Sequence, residues 1–277
     1  MALNQFKPEI FSKKIEQALT NVLVAEAFCN REYEGEVKSA GDSVRILELA
    51  RPTVTITTDG LPITISSYEE LQSAVVTMNI MQQAWFGQVL HDVDDAQSID
   101  GVMEKVAIGG AYKIADAMDS HILTVASGGV KDQSSAVKME ASNILTTIDY
   151  AAQLLYENNV PYNEPLELIC TPRFFNIFRG KIQDLSTDNP ALLEKGVAAM
   201  YHNIAIKVSN NVVTANAGAE DLCILRTKRA IAFVKQMNKV ETMRNPSGFG
   251  ELIRGLALYQ AKLVQPKELI VINAKYA

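Results

Sequence analysis

The chain is poor in the residues that build covalent or metal-dependent chemistry. It has three cysteines, Cys29, Cys170 and Cys223. They are odd in number, far apart and set in apolar contexts such as LELIC and EDLCIL, with no C-x-x-C. That spacing suggests neither a zinc site nor a redox pair, and buried free thiols are expected. Histidine is also scarce, at His91, His121 and His202, and no G-x-S-x-G element gives a serine nucleophile a recognisable setting. No apolar run approaches the ~20 residues of a membrane-spanning helix. The opening MALNQFKPEIFSKK lacks the continuous apolar stretch of a signal peptide, so a cytosolic product is expected. Positive charge is in deficit, with 26 Lys and Arg against 32 Asp and Glu, a net of -6. A tight nucleic-acid ligand would ordinarily need a basic face, although loose contact with DNA remains compatible with this balance.

What is present is a globular composition. The 277 residues are 48% hydrophobic and 21% charged, enough for one large domain or two intimate ones with real cores. Phe11, Ile15, Leu19, Val22 and Leu23 recur at helical spacing, an N-terminal arm whose apolar stripe needs a partner surface. From Ser43 to Val89 the pattern turns to strands: Val44-Arg45-Ile46, Val54-Thr55-Ile56, then Val76, Met78 and Ile80. Asp59-Gly60 between them signals a turn. A two-stranded excursion of this kind is marginal alone, and no adjacent helix is expected to cover it. Its open edges invite association with a neighbouring chain.

Residues 92 to 126 carry apolar positions at steps of three and four, from Ile99 to Val125, and predict a helix of about 25 residues. Asp94, Asp95 and Asp100 suit its start, and Ser127-Gly128-Gly129 its end. Ile144, Leu145, Ile148, Ala152 and Leu155 mark a second helix, closed by Asn158-Asn159-Val160-Pro161. LELIC reads as a short buried strand, and Pro172 opens a third helix through Phe174 and Phe178. Ile204–Val208, Leu222–Leu225 and Ala230–Val234 read as strands, so residues 140 to 236 form an α/β unit. Leu256–Val264 and Ile270–Ile272 complete the chain as strands.

Each chemical motif has a plain structural explanation. In HDVDDAQ, His91, Asp92, Asp94 and Asp95 lack the glycine and terminal glutamate of a calcium loop, and helix capping accounts for the aspartates. SGFG, residues 247 to 250, lacks the lysine of a phosphate loop. Gly109-Gly110 lies inside a helix and permits close packing. Arg226, Lys228, Arg229, Lys235 and Lys239 are expected on the solvent face of strands, with an inter-subunit ion pair as the alternative.

Several phrases then fall in a meaningful order: FKPEIFSKKIEQAL, NREYEGEVKSAGDSVRI, DVDDAQ leading into a long helix, ENNVP before a strand, IAIKVSNNV, and FGELIRGLALYQAKLVQPKELIVI. The set resembles tailed-phage major capsid proteins with the Hong Kong 97-type fold, especially the coat-protein branch of short-tailed phages. The resemblance implies an α+β fold with an N-terminal arm (1–35), an extended β loop (36–91), a peripheral domain with a spine helix (92–139), an axial α/β domain (140–236) and return strands of the peripheral domain (237–277). It implies a virion subunit, made and assembled in the host cytoplasm, without catalytic, cofactor or metal residues. The implied partners are further copies of itself in hexamers and pentamers, a scaffolding protein, a portal protein, a decoration protein and loosely held double-stranded DNA, with no membrane. Phe11, Ile15, Asp59, Leu61, Ile63, Ile65 and Tyr68 are the expected assembly-interface residues. The arm starts at once, which favours a separate scaffold over a fused one. Residues 51 to 73 contain no lysine, which excludes the isopeptide crosslink that some members form from the extended loop. An encapsulin-like nanocompartment shell and a cytosolic enzyme with an unrecognised site are the other readings.

Overall fold

The computed structural model describes residues 24–33, 43–49, 54, 73–90, 102–132, 136–184 and 200–276. Three α-helices lie in these segments: α1 (Val102–Ser127), α2 (Ile144–Glu157) and α3 (Pro172–Asp184). The strands are β1 (Ser43–Leu49), β2 (Ser73–Asn79), β3 (Gln82–Leu90), β4 (Val130–Lys131), β5 (Val137–Lys138), β6 (Leu166–Cys170), β7 (Met200–Tyr201), β8 (Ile204–Val208), β9 (Thr214–Ala215), β10 (Glu220–Thr227), β11 (Ile231–Arg244), β12 (Glu251–Leu263) and β13 (Leu269–Lys275). The chain is a mixed α+β protein.

An eight-stranded mixed sheet runs β4-β13-β10-β6-β8-β7, with β5 beside β13 and β9 beside β10. Its strands alternate between two covered faces. Leu168, Cys170, Ile206, Cys223, Leu225, Ile270 and Ile272 point to α2 and α3 and pack with Ile148, Leu155, Phe174 and Phe178. Ile169, Ile224, Leu269 and Val271 point the other way, to Met118, Ile122 and Leu123 of α1. A sheet covered on both faces needs apolar residues throughout, which is why LELIC is wholly buried. At the end of α2, Asn159 takes φ 66, and the Val160 N–H bonds back to the Leu155 carbonyl, closing the helix as the Asn-Asn pair implied.

The second sheet is β11-β12-β3, all antiparallel. One face lies on α1. Here the Phe86 ring slots between Gly110 of α1 and Gly255 of β12. A Cβ on Gly110 would sit 2.6 Å from the ring, and one on Gly255 would overlap it too. The close packing read from Gly109-Gly110 therefore rests on Gly110, whereas a Cβ on Gly109 meets nothing.

On the opposite face sits the base of the strand excursion. β1 and β2 pair from Ser43↔Asn79 to Leu49↔Ser73. Val44, Ile46, Met78 and Ile80 are buried against Ala232, Val234 and Leu258. The expectation of an uncovered hairpin needs correction here: its stem lies on β11 and β12. Burying four such side chains contributes roughly 6–12 kcal/mol before entropy, enough to hold a pair of strands that would be marginal alone. The sequence pattern showed no helix to cover them, and a sheet from 150 residues downstream does the work instead.

Residues 237–277 divide between the two sheets. β12 pairs β11 and β3, while β13 pairs β10 over Glu220↔Lys275 to Arg226↔Leu269. Ala230–Val234 was read as a short strand, yet β11 runs on to Arg244 through an irregular step between Met237 and Lys239.

Candidate functional site

Catalytic chemistry finds little to build on in the described residues. No group of three or more His, Cys, Asp or Glu converges there with metal-holding geometry. The three cysteines are free and buried, as expected. Burial pushes the Cys170 thiol up to about 12 and Cys223 well above its usual value. Burial also lowers His121, whose ring packs edge-on against Tyr259 at 5.5 Å. No helix among the described residues is long and apolar enough to cross a membrane.

The most concentrated charge lies inside the protein. Glu167 on β6 and Arg226 on β10 are cross-strand partners and fully buried. The Arg226 Nη2 and Nε donate to Glu167 Oε2 at 2.7 and 3.1 Å. Lys207 on β8 reaches Glu167 Oε1 at 2.6 Å. Burial works against the Arg226 charge, but Cys29 and Glu167 beside it outweigh that and raise its pKa above the usual value. Lys235 pairs with buried Glu26 at 2.5 Å. The solvated basic face expected of Arg226 and Lys235 is thus corrected. Both point inward: Arg226 because the eight-stranded sheet buries both faces and alternation there no longer separates core from solvent, and Lys235, on β11 of the other sheet, to pair with buried Glu26.

That cluster grips a short segment, residues 24–31. Arg226 Nη2 donates to the Ala25 carbonyl at 2.6 Å, and Nη1 contacts Cys29 Sγ at 3.2 Å. Lys207 Nζ reaches the Val24 carbonyl at 3.4 Å. Asp119 of α1, buried, accepts from the Val24 and Ala25 N–H groups at 3.2 and 2.9 Å. Asn30 bridges in parallel to β11.

Among the described residues, an exposed apolar surface lies on the free half of the β11-β12-β3 sheet, beyond the hairpin stem. Trp85, the only tryptophan, is 76% exposed; Met81 and Val89 share its side of β3 and are exposed too. Trp85 pairs across to half-buried Leu256, and Val89 to half-buried Leu252. A cleft of about 350 Å³ lies between Trp85, Leu256 and the Arg254–Glu241 ion pair. Among the described residues β3 is the edge of its sheet. It carries no charge and no proline, the usual guards of an open edge. A readable signal was available: residues 71 to 90 are twenty consecutive uncharged positions.

A second groove, of about 560 Å³, lies along α2, lined by Asp149, Gln153, Tyr156, Glu157, Tyr162 and His202. Its residues are held by one another: Tyr201 donates to Asp149 at 3.1 Å, Gln153 to Glu157 at 2.7 Å.

The expected interface residues Phe11, Ile15, Asp59, Leu61, Ile63, Ile65 and Tyr68 lie outside the described residues, as do His91, Asp92, Asp94 and Asp95. What is described is the stem, β1 and β2, that leads to residues 59–68 and back.

By sequence, the chain matches no protein-family model and no curated protein. Its fold matches solved structures over nearly its whole length. A chain from Mycobacterium phage Che8 aligns with TM-score 0.74 and 22% identity, covering 98% of each chain. The capsid of the cyanophage P-SCSP1u aligns with TM-score 0.65 and 16% identity, covering 87% of this chain and 85% of the other. A virus-like particle from Pyrococcus furiosus aligns with TM-score 0.59 and 11% identity, covering 95% and 98%. The chain shares its fold with chains of phage capsids.

Proposed function

We propose that this chain is the major capsid protein of a tailed bacteriophage, with the Hong Kong 97-type fold, closing into an icosahedral shell around packaged double-stranded DNA. The observation that carries the reading is the end-to-end match to phage structures, 98% of both chains in one case. An open, uncharged sheet edge and an exposed Trp85 face support it, since both need a neighbour to cover them.

In this reading copies join by heterologous contacts that close around axes as pentamers and hexamers. The hairpin whose stem is β1 and β2 carries Asp59, Leu61, Ile63, Ile65 and Tyr68 out to the adjacent subunit. The arm does the same with Phe11 and Ile15. The 1–35 arm, 36–91 loop, 92–139 and 237–277 peripheral segments and 140–236 axial unit are the proposed parts. A separate scaffolding protein guides assembly; a portal, a decoration protein and loosely held DNA complete the virion. The chain contributes no catalysis. Assembly takes place in the host cytoplasm.

Deleting residues 57 to 70 tests the mechanism: a folded subunit that forms no shells is expected, and normal particles refute it. Electron microscopy of the expressed protein, with and without its neighbouring genes, tests the assignment. A discrete small oligomer under both conditions refutes it.

A second reading, a nanocompartment shell, is favoured by the match to the Pyrococcus furiosus particle. The contents of natural particles separate the two: nuclease-protected double-stranded DNA for a virion, an enzyme cargo for a compartment.

A further inference from the structure

We infer that residues 24–31 are a charge-held strap that releases from the body as one unit, carrying the chain before it, while both cores stay folded. The strap has little regular structure of its own, a three-residue 3₁₀ turn at Glu26–Phe28 and the single bridge at Asn30. The backbone groups of Val24 and Ala25 are satisfied by side chains rooted in the rigid body. Val24 and Ala25 N–H go to Asp119 of α1, and the Val24 and Ala25 carbonyls to Lys207 of β8 and Arg226 of β10.

The socket is built to survive the strap's departure. A charge left bare in a protein interior is strongly destabilising. Here Lys235 alone loses its ion-pair partner, Glu26, and the other charges of the socket keep theirs. Arg226 and Lys207 keep Glu167. Asp119 keeps Ser209 at 3.3 Å and Asn211 at 3.2 Å. On the strap, Glu26 leaves Lys235 but takes Arg31 with it, at 3.0 Å. Of the strap's hydrophobic side chains Ala25 and Cys29 are buried and Val24 and Phe28 half-buried. An apolar plug of equal length would hold its site far more tightly. Segments with few buried contacts open at lower free energy than the cores they cover.

Release lengthens the reach of the preceding chain. Eight residues at about 3.3 Å each add roughly 26 Å. One sequence can then meet neighbours at different distances. That use rests on the shell reading above; the strap itself does not, and the test below addresses the strap alone.

Cys29 is a built-in reporter. It lies within the strap, buried, its thiol donating to the Ala25 carbonyl at 3.2 Å. Cys170 and Cys223 belong to the separate core under α2 and α3. The full-length chain is pulse-labelled with N-ethylmaleimide in native buffer, and each thiol is followed by peptide mass spectrometry. Cys29 is expected to react at least about tenfold faster than the other two, the signature of local opening. Glu26→Gln and Lys235→Met should each speed Cys29 several-fold further and leave Cys170 and Cys223 unchanged. One shared rate for all three thiols in the natural chain would overturn the inference. So would an equal acceleration of all three in the variants, or a Cys29 rate that neither variant moves.

Discussion

Two adjacent glycines on one helix provide a sharp test of the packing around Phe86. Gly109 and Gly110 both lie inside α1, so replacing either by alanine gains the same helix propensity, about 1 kcal/mol. Their surroundings differ. A Cβ at position 109 meets nothing within 4 Å, while one at 110 drives into the Phe86 ring at 2.6 Å. The ring cannot retreat, because its other side rests on Gly255. Overpacking of this kind costs about 1–3 kcal/mol. Gly109→Ala should therefore stabilise the subunit by about 1 kcal/mol. Gly110→Ala should fall below Gly109→Ala by about 1–3 kcal/mol, because the shared propensity gain cancels in the difference. Urea unfolding of the unassembled subunit, compared by midpoint at constant slope, reads both values. Phe86→Leu should shrink the Gly110→Ala penalty, since contacting residues couple. Equal stability of the two alanine variants would refute the slot, and with it the docking of β3 onto α1.

Arg226→Met strips Glu167 of its bidentate partner and leaves a buried carboxylate with Lys207 alone. A loss of about 3–5 kcal/mol is expected in urea unfolding, and a loss under 1 kcal/mol would contradict it. Trp85, as the only tryptophan, reports its own burial: its emission should be red-shifted in the free subunit and move to the blue on shell formation. Unchanged emission would take the Trp85 face out of the interface. Alkaline pH should weaken the fold. Burial holds Cys170 up to about 12 and raises Cys223 and Tyr276 as well, while in the unfolded chain thiols and phenols ionise near pH 8.5 and 10. The folded form keeps these protons longer, so its advantage is whole below about pH 8.5 and falls as pH rises towards 12. Stability that stays level across that window would refute the linkage.

Local signals were legible wherever one segment decides its own state. Apolar spacing marked α1 to within a residue at Ser127, and the Asn158-Asn159 pair ended α2. LELIC gave a strand buried throughout. What escaped depended on distant partners. Arg226 was read with Lys228 and Arg229 as a solvated face, because its partner Glu167 lies 59 residues away. The hairpin stem was read as uncovered, because Ala232, Val234 and Leu258, which cover it, come much later in the chain. Trp85 sits in an uncharged run, residues 71 to 90, and its exposure depends on β3 being a sheet edge, which that run does not encode. The assembly role of residues 59–68 is what the family resemblance implies, and the deletion experiment tests it.

The position of β13 has a consequence for biosynthesis. Val130 of β4 and Leu225 of β10 both wait for Ile270, the strand that joins them in one sheet. From Val130 that wait is 140 residues, roughly 7–28 s at a synthesis rate of about 5–20 residues per second. From Leu225 the wait is 45 residues, roughly 2–9 s, during which the nascent chain holds open an edge of β10 whose Cys223 and Leu225 are later wholly buried. The body can therefore finish folding only after translation has passed Lys275. A chain made in high copy number would spend those seconds crowded among identical half-sheets, and the rate of elongation becomes a determinant of how much of it folds rather than aggregates.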